Sequence, residues 1–243
     1  MKLLGITDLH SAVGMLERIL HRAGPVDLVL LGGDITNFGT PDDAEGIVNR
    51  VLQAGLPVLA VAGNCDSALI EQRLQDLGVS LYRRAVVRNQ IGFQGLSAMP
   101  PWKSRMYHFS EDQLADDLQE GYRQLQAQKQ PEPILSRSDA LWAPPSEQQA
   151  EPTGWKTHIV LSHVPPRDCK LDRTFLGRHV GSQALRQFID QVQPDLVLCG
   201  HIHEGRGLDR IGRTWVLNCG PAAAGNYGLV EVASELRLEL RRV

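Results

Sequence analysis

Five short apolar runs in this chain stop in the same way, at a small cluster of acids, amides or histidines. Lys2-Leu3-Leu4-Gly5-Ile6 leads into Thr7-Asp8-Leu9-His10, and Val26-Asp27-Leu28-Val29-Leu30-Leu31 into Gly32-Gly33-Asp34. Leu56-Pro57-Val58-Leu59-Ala60-Val61-Ala62 leads into Gly63-Asn64-Cys65-Asp66, residues 157–162 stop at His163, and residues 195–199 stop at Gly200-His201-Ile202-His203. Nearly continuous apolar runs of this length suit strands buried on both faces. Between the first three lie helical patterns: Val13, Leu16, Ile19 and Leu20 within 12–23, with Ser11 as predicted N-cap, and a second helix over 41–54 opened by Thr40 and Pro41. Strands alternating with helices define an α/β fold, and open α/β sheets build their sites at the carboxyl ends of strands.

The rest of the pattern is less regular. A helix is predicted over 68–77, then short strands at 79–82, 85–88 and 91–96 with Asn89-Gln90 as a turn. From 101 to 155 the composition shifts to a polar, Gln-rich helix ending near Lys129 and a Pro-, Ser- and Gln-containing connector at 131–152, which reads as an insert over one face. Trp102, Tyr107 and His108 in that stretch either line a pocket or pin the loop to the core, the second being the commoner use of loop aromatics. A helix at 182–192 follows, and 213–218, 227–232 and 236–240 read as antiparallel strands, with Asn218-Cys219-Gly220-Pro221 turning between two of them.

With 243 residues, 42% of them hydrophobic, the chain is long enough for one large domain spanning 1–243. A net charge of −3 and no long Lys/Arg cluster speak against a nucleic-acid or membrane partner. The four cysteines lack the close pairing of a zinc site and read as reduced thiols. No signal-peptide core opens the chain and no apolar stretch reaches the roughly 18 residues of a membrane span, so a cytoplasmic location is expected.

Taken together, Asp8, His10, Asp34, Asn64, His163, His201 and His203 offer two carboxylates, one amide oxygen and four imidazoles. That mixed nitrogen and oxygen set exceeds the needs of one ion and suits two borderline divalent metals, Mn, Fe or Zn, better than Mg or Ca. In such a pair a carboxylate bridges ions roughly 3.5 to 4 Å apart, and a hydroxide between them is placed for in-line attack on phosphorus.

The ordered blocks D-x-H, G-G-D, G-N-x-D, a lone His and G-H-x-H resemble the calcineurin-like metallophosphoesterase family, over a span from Asp8 to Asn218. The resemblance implies a central β-sandwich of two mixed sheets flanked by helices on both sides, a four-layer αββα arrangement. It implies that Asp8, His10 and His203 hold one metal, that Asn64, His163 and His201 hold the other, and that Asp34 bridges. The substrate it implies is a small-molecule phosphate ester. One position departs: where many members follow the Asn with a His that protonates the leaving group or stabilises the transition state, this chain has Cys65, which reads as a small packed residue. The G-N-C-D form looks like the small bacterial and archaeal branch whose members often cleave phosphodiesters, and Asp66 is expected to orient a ligand from behind or to assist the leaving group. The rival expectations are a non-catalytic binding or scaffold protein on the same fold and a nuclease. Arg167 and Arg173 lie close enough in sequence to His163 to reach a phosphate, although solvent exposure is the simpler role, and Asn218 reads as a turn former.

Overall fold

The computed structural model describes residues 1–102, 105–129 and 154–243, and the connector expected at 131–152 lies outside them. In chain order the elements are β1 (Lys2–Ile6), α1 (Val13–Ala23), β2 (Leu28–Gly32), α2 (Pro41–Gln53), β3 (Val58–Val61), α3 (Ala68–Asp76), β4 (Ala85–Arg88), β5 (Ile91–Leu96) and α4 (Glu111–Lys129). They continue with β6 (Thr157–Ser162), α5 (Gln183–Val192), β7 (Leu196–Cys199), β8 (Gly207–Ile211), β9 (Thr214–Asn218), β10 (Asn226–Val232) and β11 (Leu236–Arg242). They form two mixed sheets, ordered β11-β10-β1-β2-β3 and β4-β5-β6-β7-β9-β8. In the first, β1, β2 and β3 are parallel, with β10 and β11 added antiparallel. In the second, β5, β6, β7 and β9 are parallel between antiparallel edge strands.

The two-residue period of the strands sorts each apolar run between two cores. Leu3, Leu28, Leu30, Leu59 and Val61 point inward and meet Phe93, Ile159, Leu161, Leu196, Leu198 and Leu217 of the other sheet. Their neighbours Leu4, Ile6, Val29, Leu31 and Ala60 point outward and are covered by Leu16 and Ile19 of α1, Ile47, Val48 and Val51 of α2, and Ile70 and Leu74 of α3. Val160, Val197, Cys199 and Val216 of the second sheet are covered by Leu114 and Leu118 of α4 and Ala184, Leu185, Phe188 and Ile189 of α5. Helix, sheet, sheet, helix is the layering the family resemblance implies. It also explains why the runs are nearly unbroken: each fully buried Leu or Val contributes roughly 1.5–3 kcal/mol, so apolar residues fill most positions on both faces.

The helices begin where their caps stand. Thr40 and Asp43 form a reciprocal capping box at α2, and Ser67 and Ser182 accept from Ile70 N–H and Leu185 N–H at α3 and α5. The predicted cap at Ser11 is corrected: α1 starts at Val13 with no side-chain cap. Ser11 has a left-handed backbone (φ 62°), donates its N–H to Ile35 C=O, and spends its Oγ on Asn37 N–H, so it belongs to the site loop. The strand expected at 79–82 shrinks to one bridge between Ser80 and Ala60. The turn at 218–221 does not join paired strands, because β9 lies in the second sheet and β10 in the first. α4 packs against β5 and α5, and its Glu111 carboxylate accepts from Ser182 Oγ and from Gln183 and Ala184 N–H at the start of α5.

A buried histidine far from the carboxyl ends of the strands gives this fold a pH signature. His158, in the second position of β6, is 2% exposed, stacks on Tyr122 at 5.7 Å and lies 3.0 Å from Gln94 Oε1 through Nε2. Burial, reinforced by Arg213 and Lys129, pushes its imidazole down to about 4. Unfolding restores a value near 6.5, so the unfolded chain binds the extra proton between these limits and stability falls as pH drops through that window. Relative to His158→Gln, the wild type is expected to lose on the order of 3 kcal/mol between pH 7 and pH 4. Urea unfolding of both proteins across that range measures this, and a difference that stays constant contradicts it.

Candidate metal centre

The carboxyl ends of β1, β2 and β3 from one sheet and β6 and β7 from the other each give rise to a polar loop, and backbone hydrogen bonds stitch these loops together. Asp8 N–H donates to Gly33 C=O (3.0 Å), His10 N–H to Asp34 C=O (2.9 Å), and Gly200 N–H to His163 C=O (3.0 Å). Holding the side chains inward requires unusual backbone: Asp8, His10, Asp34 and His201 all have φ between 47° and 66°. A non-glycine residue in this left-handed region costs of order 1–3 kcal/mol, and such residues cluster at functional sites. Close approach adds a second demand. A Cβ on Gly33 would run into the His163 ring, one on Gly63 into Asp34 and His163, and one on Gly200 into Asp8 and Thr7.

These loops bring the predicted residues together. Ligand atoms of Asp8, His10 and His203 all lie within 4.8 Å of one another, as do those of Asp8, Asp34 and His163. A third group of the same compactness joins His10, Asp34 and Cys65, so Asp8, His10 and Asp34 each take part in two of the three. Asp34 Oδ2 lies 3.7 Å from His10 Nε2, and Asp34 Oδ1 lies 3.5 Å from His163 Nε2. Asn64 Oδ1 is 2.8 Å from His163 Nε2, while Asn64 Nδ2 is turned toward Cys65 Sγ and Met106 Sδ. His201 stands in none of those groups, but its ring centroid is 4.9 Å from that of His163, and its N–H donates to both Asp8 oxygens at 3.0 Å.

The donor chemistry fits cations. His163 Nδ1 lies 3.1 Å from Gly32 C=O, which can only accept, so in the tautomer that donates there the Nε2 lone pair is turned toward Asn64 Oδ1 and Asp34. Three electron-rich atoms then face each other. Among the described residues, His10 Nδ1 and His201 Nε2 are two of four buried side-chain polar atoms with no hydrogen-bond partner, a costly state unless another group satisfies them. Burial, followed by the neighbouring His163, pushes His201 down to about 3, so it stays an electron-pair donor at neutral pH. For Asp8, burial acts to raise the carboxyl, but the His203 hydrogen bond and the surrounding imidazoles outweigh it and hold the group below its ordinary value.

Other candidates take different places. Asp66 faces away from the centre: its carboxylate accepts from Gly63 N–H (2.8 Å), Ile35 N–H (3.1 Å), Thr36 N–H (2.9 Å) and Thr36 Oγ1 (2.9 Å). It thereby ties the Asp34 loop to the Asn64 loop. Cys65 is buried as expected, yet its sulfur sits among the donor atoms, and burial with Asp34 pushes the thiol well above its ordinary range. Arg167 and Arg173 are exposed, the latter donating from Nε to His179 Nε2. Tyr107 is partly buried and its N–H caps Asn64 C=O, whereas Trp102 lies exposed with its ring 5.0 Å from His201.

Asn218 does more than form a turn. Fully buried, it donates from Nδ2 to Gly200 C=O (3.3 Å) and Ile202 C=O (2.9 Å) and accepts from Gly220 N–H, so it clasps the loop that carries His201 and His203. Asn218 ends β9, beside the end of β7, a neighbourhood set by the sheet order and not by any local pattern in the sequence. Asn218→Ala is expected to weaken metal affinity by about 10–100-fold while leaving the donors intact. Titration with Mn measures it, and unchanged affinity contradicts the clasp.

A strand-end centre of Asp, Asn and His side chains between two sheets matches what the family comparison finds. Residues 1–205 fit the model of the calcineurin-like phosphoesterases, and the chain belongs to that family. Among its relatives, an uncharacterized protein of Methanocaldococcus jannaschii is 26% identical over 229 residues, covering 91% of this chain and 88% of that one. A protein of Nostoc sp. named as a 3',5'-cyclic-nucleotide phosphodiesterase is 26% identical over 206 residues, covering 84% of this chain and 65% of that one. Among solved structures, a Thermus thermophilus protein aligns with a TM-score of 0.70 at 15% identity, covering 99% and 98% of the two chains. A dimetal phosphatase from Danio rerio aligns with a TM-score of 0.54 at 13% identity, covering 100% and 96%. At those identities the structural likeness shows the fold. No helix among the described residues is long and apolar enough to cross a membrane.

Proposed function

We propose that this chain is a dinuclear metal-dependent phosphodiesterase acting on a small-molecule phosphate ester. The observation that carries the reading is the convergence of seven donor residues in which Asp34 lies beside both His10 and His163. Asp8, His10 and His203 would hold one ion, Asn64, His163 and His201 the other, and Asp34 would stand between them. Bound there, two divalent ions of the Mn, Fe or Zn kind supply Lewis-acid neutralisation of phosphoryl oxygens and an acidified water.

The protein's own part is preorganisation. Asp66 acts as a positioning residue that fixes the distance between the loops of Asp34 and Asn64. The His203 side chain is 46% exposed and leaves one side of the centre open for a phosphoryl group to enter. At residue 65 the chain has no imidazole to protonate a departing oxygen, and the thiol there is a weak acid. That favours substrates whose leaving alcohol departs without strong help. The diester preference draws support from the name of the Nostoc relative and from the G-N-C-D block. Four free, buried cysteines support action in a reducing compartment, the cytoplasm.

The test is a panel of aryl phosphomonoesters, phosphodiesters and cyclic nucleotides with Mn-loaded and chelator-treated protein. Metal-dependent turnover with diesters preferred is expected. Turnover of monoesters alone removes the diester assignment, and no turnover of any ester by the loaded protein removes the enzyme.

A further inference from the structure

Among the described residues, only Phe38, Trp102 and Phe175 of all the phenylalanines, tyrosines and tryptophans are exposed, at 62%, 42% and 91%. Each is fastened to a loop of the metal centre. Phe38 follows Asp34 by four residues, has a left-handed backbone (φ 56°), and donates its N–H to Cys65 C=O at 3.0 Å. The Trp102 indole lies 5.0 Å from the His201 imidazole, tilted by 49°. Phe175 stands at the tip of a tight turn closed by Thr174 N–H to Arg178 C=O, and its own N–H donates to Glu204 Oε1, next to His203.

Exposing an aromatic ring forgoes the stabilisation of burying it, and of the three only Trp102 is shown to set its ring directly against an imidazole of the site, which points to a ligand that covers its open side. The partner best suited to a ring already set against a ligating imidazole is another flat π face, because offset stacking adds to simple burial. Resting on the phosphoesterase reading above, we infer that the substrate carries a planar aromatic group on its phosphoryl oxygen or phosphorus, and that Trp102 is the platform on which that group stacks. Trp102 thus sets specificity, while the Asp and His donors handle the phosphoryl group common to all substrates.

A pair of non-hydrolysable probes isolates the ring. Calorimetry of the Mn-loaded protein with phenylphosphonate and with methylphosphonate compares two ligands that share the anionic head. Stacking on an aromatic side chain is worth about 1–3 kcal/mol per ring, which gives the phenyl probe an advantage of roughly 5- to 150-fold. Trp102→Ala is expected to bring that ratio close to unity with methylphosphonate affinity and metal content unchanged, while Trp102→Phe retains most of it. Equal binding of the two probes by the wild type overturns the inference and leaves the phosphoesterase reading standing. A phenyl advantage that survives Trp102→Ala overturns the role of Trp102. Binding of neither phosphonate by the loaded protein overturns the phosphoesterase reading and this inference together.

Discussion

Asp34→Asn is expected to lose bound metal and turnover together, with kcat falling by at least about 10²–10³-fold. The substitution is nearly isosteric, so what changes is charge and donor capacity. Asp34 stands between His10 and His163, and its Oδ1 also accepts Cys65 N–H at 2.7 Å. An amide can present only one oxygen to these neighbours, and its NH₂ opposes a cation. The carboxylate is 3% exposed, so the metal-free variant should be no less stable than the metal-free wild type, because a buried charge without its counter-ion has been removed. Metal analysis after dialysis, turnover and thermal unfolding measured together give the answer. Full activity from a protein with an emptied site would sink the account.

Gly63→Ala should be nearly as damaging, by a different route. The added methyl would occupy space held by Asp34 backbone N, Asp34 Oδ1 and the His163 ring. None of these can step aside, because the Asp34 loop is bonded to Asp66 and His163 is pinned by Gly32 C=O. Overpacking a rigid site costs about 1–3 kcal/mol or more, and displacement of Asp34 by even a fraction of an ångström should abolish tight metal binding. Gly46→Ala in α2 is the control: nothing lies within 4 Å of its added methyl, and a gain of about 0.5–1 kcal/mol is expected. Urea unfolding with and without Mn compares the two, and a Gly63→Ala protein that binds Mn like the wild type contradicts the packing argument.

The legible part of this protein was the part written in strand ends. β1, β2, β3, β6 and β7 declared themselves because both faces are buried, and Asp8, Asp34, Asn64, His163 and His201 follow them within a few residues. Less legible were features decided by partners distant in sequence. Ser11 has the look of a cap until the Asp34 loop claims its N–H and Oγ. β8, with the sequence Gly-Leu-Asp-Arg-Ile, is an edge strand with Leu208 and Arg210 exposed and Asp209 between them, so it carried no apolar run to betray it. Asn218 and Asp66 buttress loops that the sequence separates from them by 16 and 31 residues, and such bonds have no local signature.

The most direct test of the central claim is anomalous X-ray scattering from crystals grown with Mn. The account predicts two peaks per chain, one enclosed by Asp8, His10 and His203, the other by Asn64, His163 and His201, with Asp34 touching both. A single peak, or peaks away from Asp34, would contradict it.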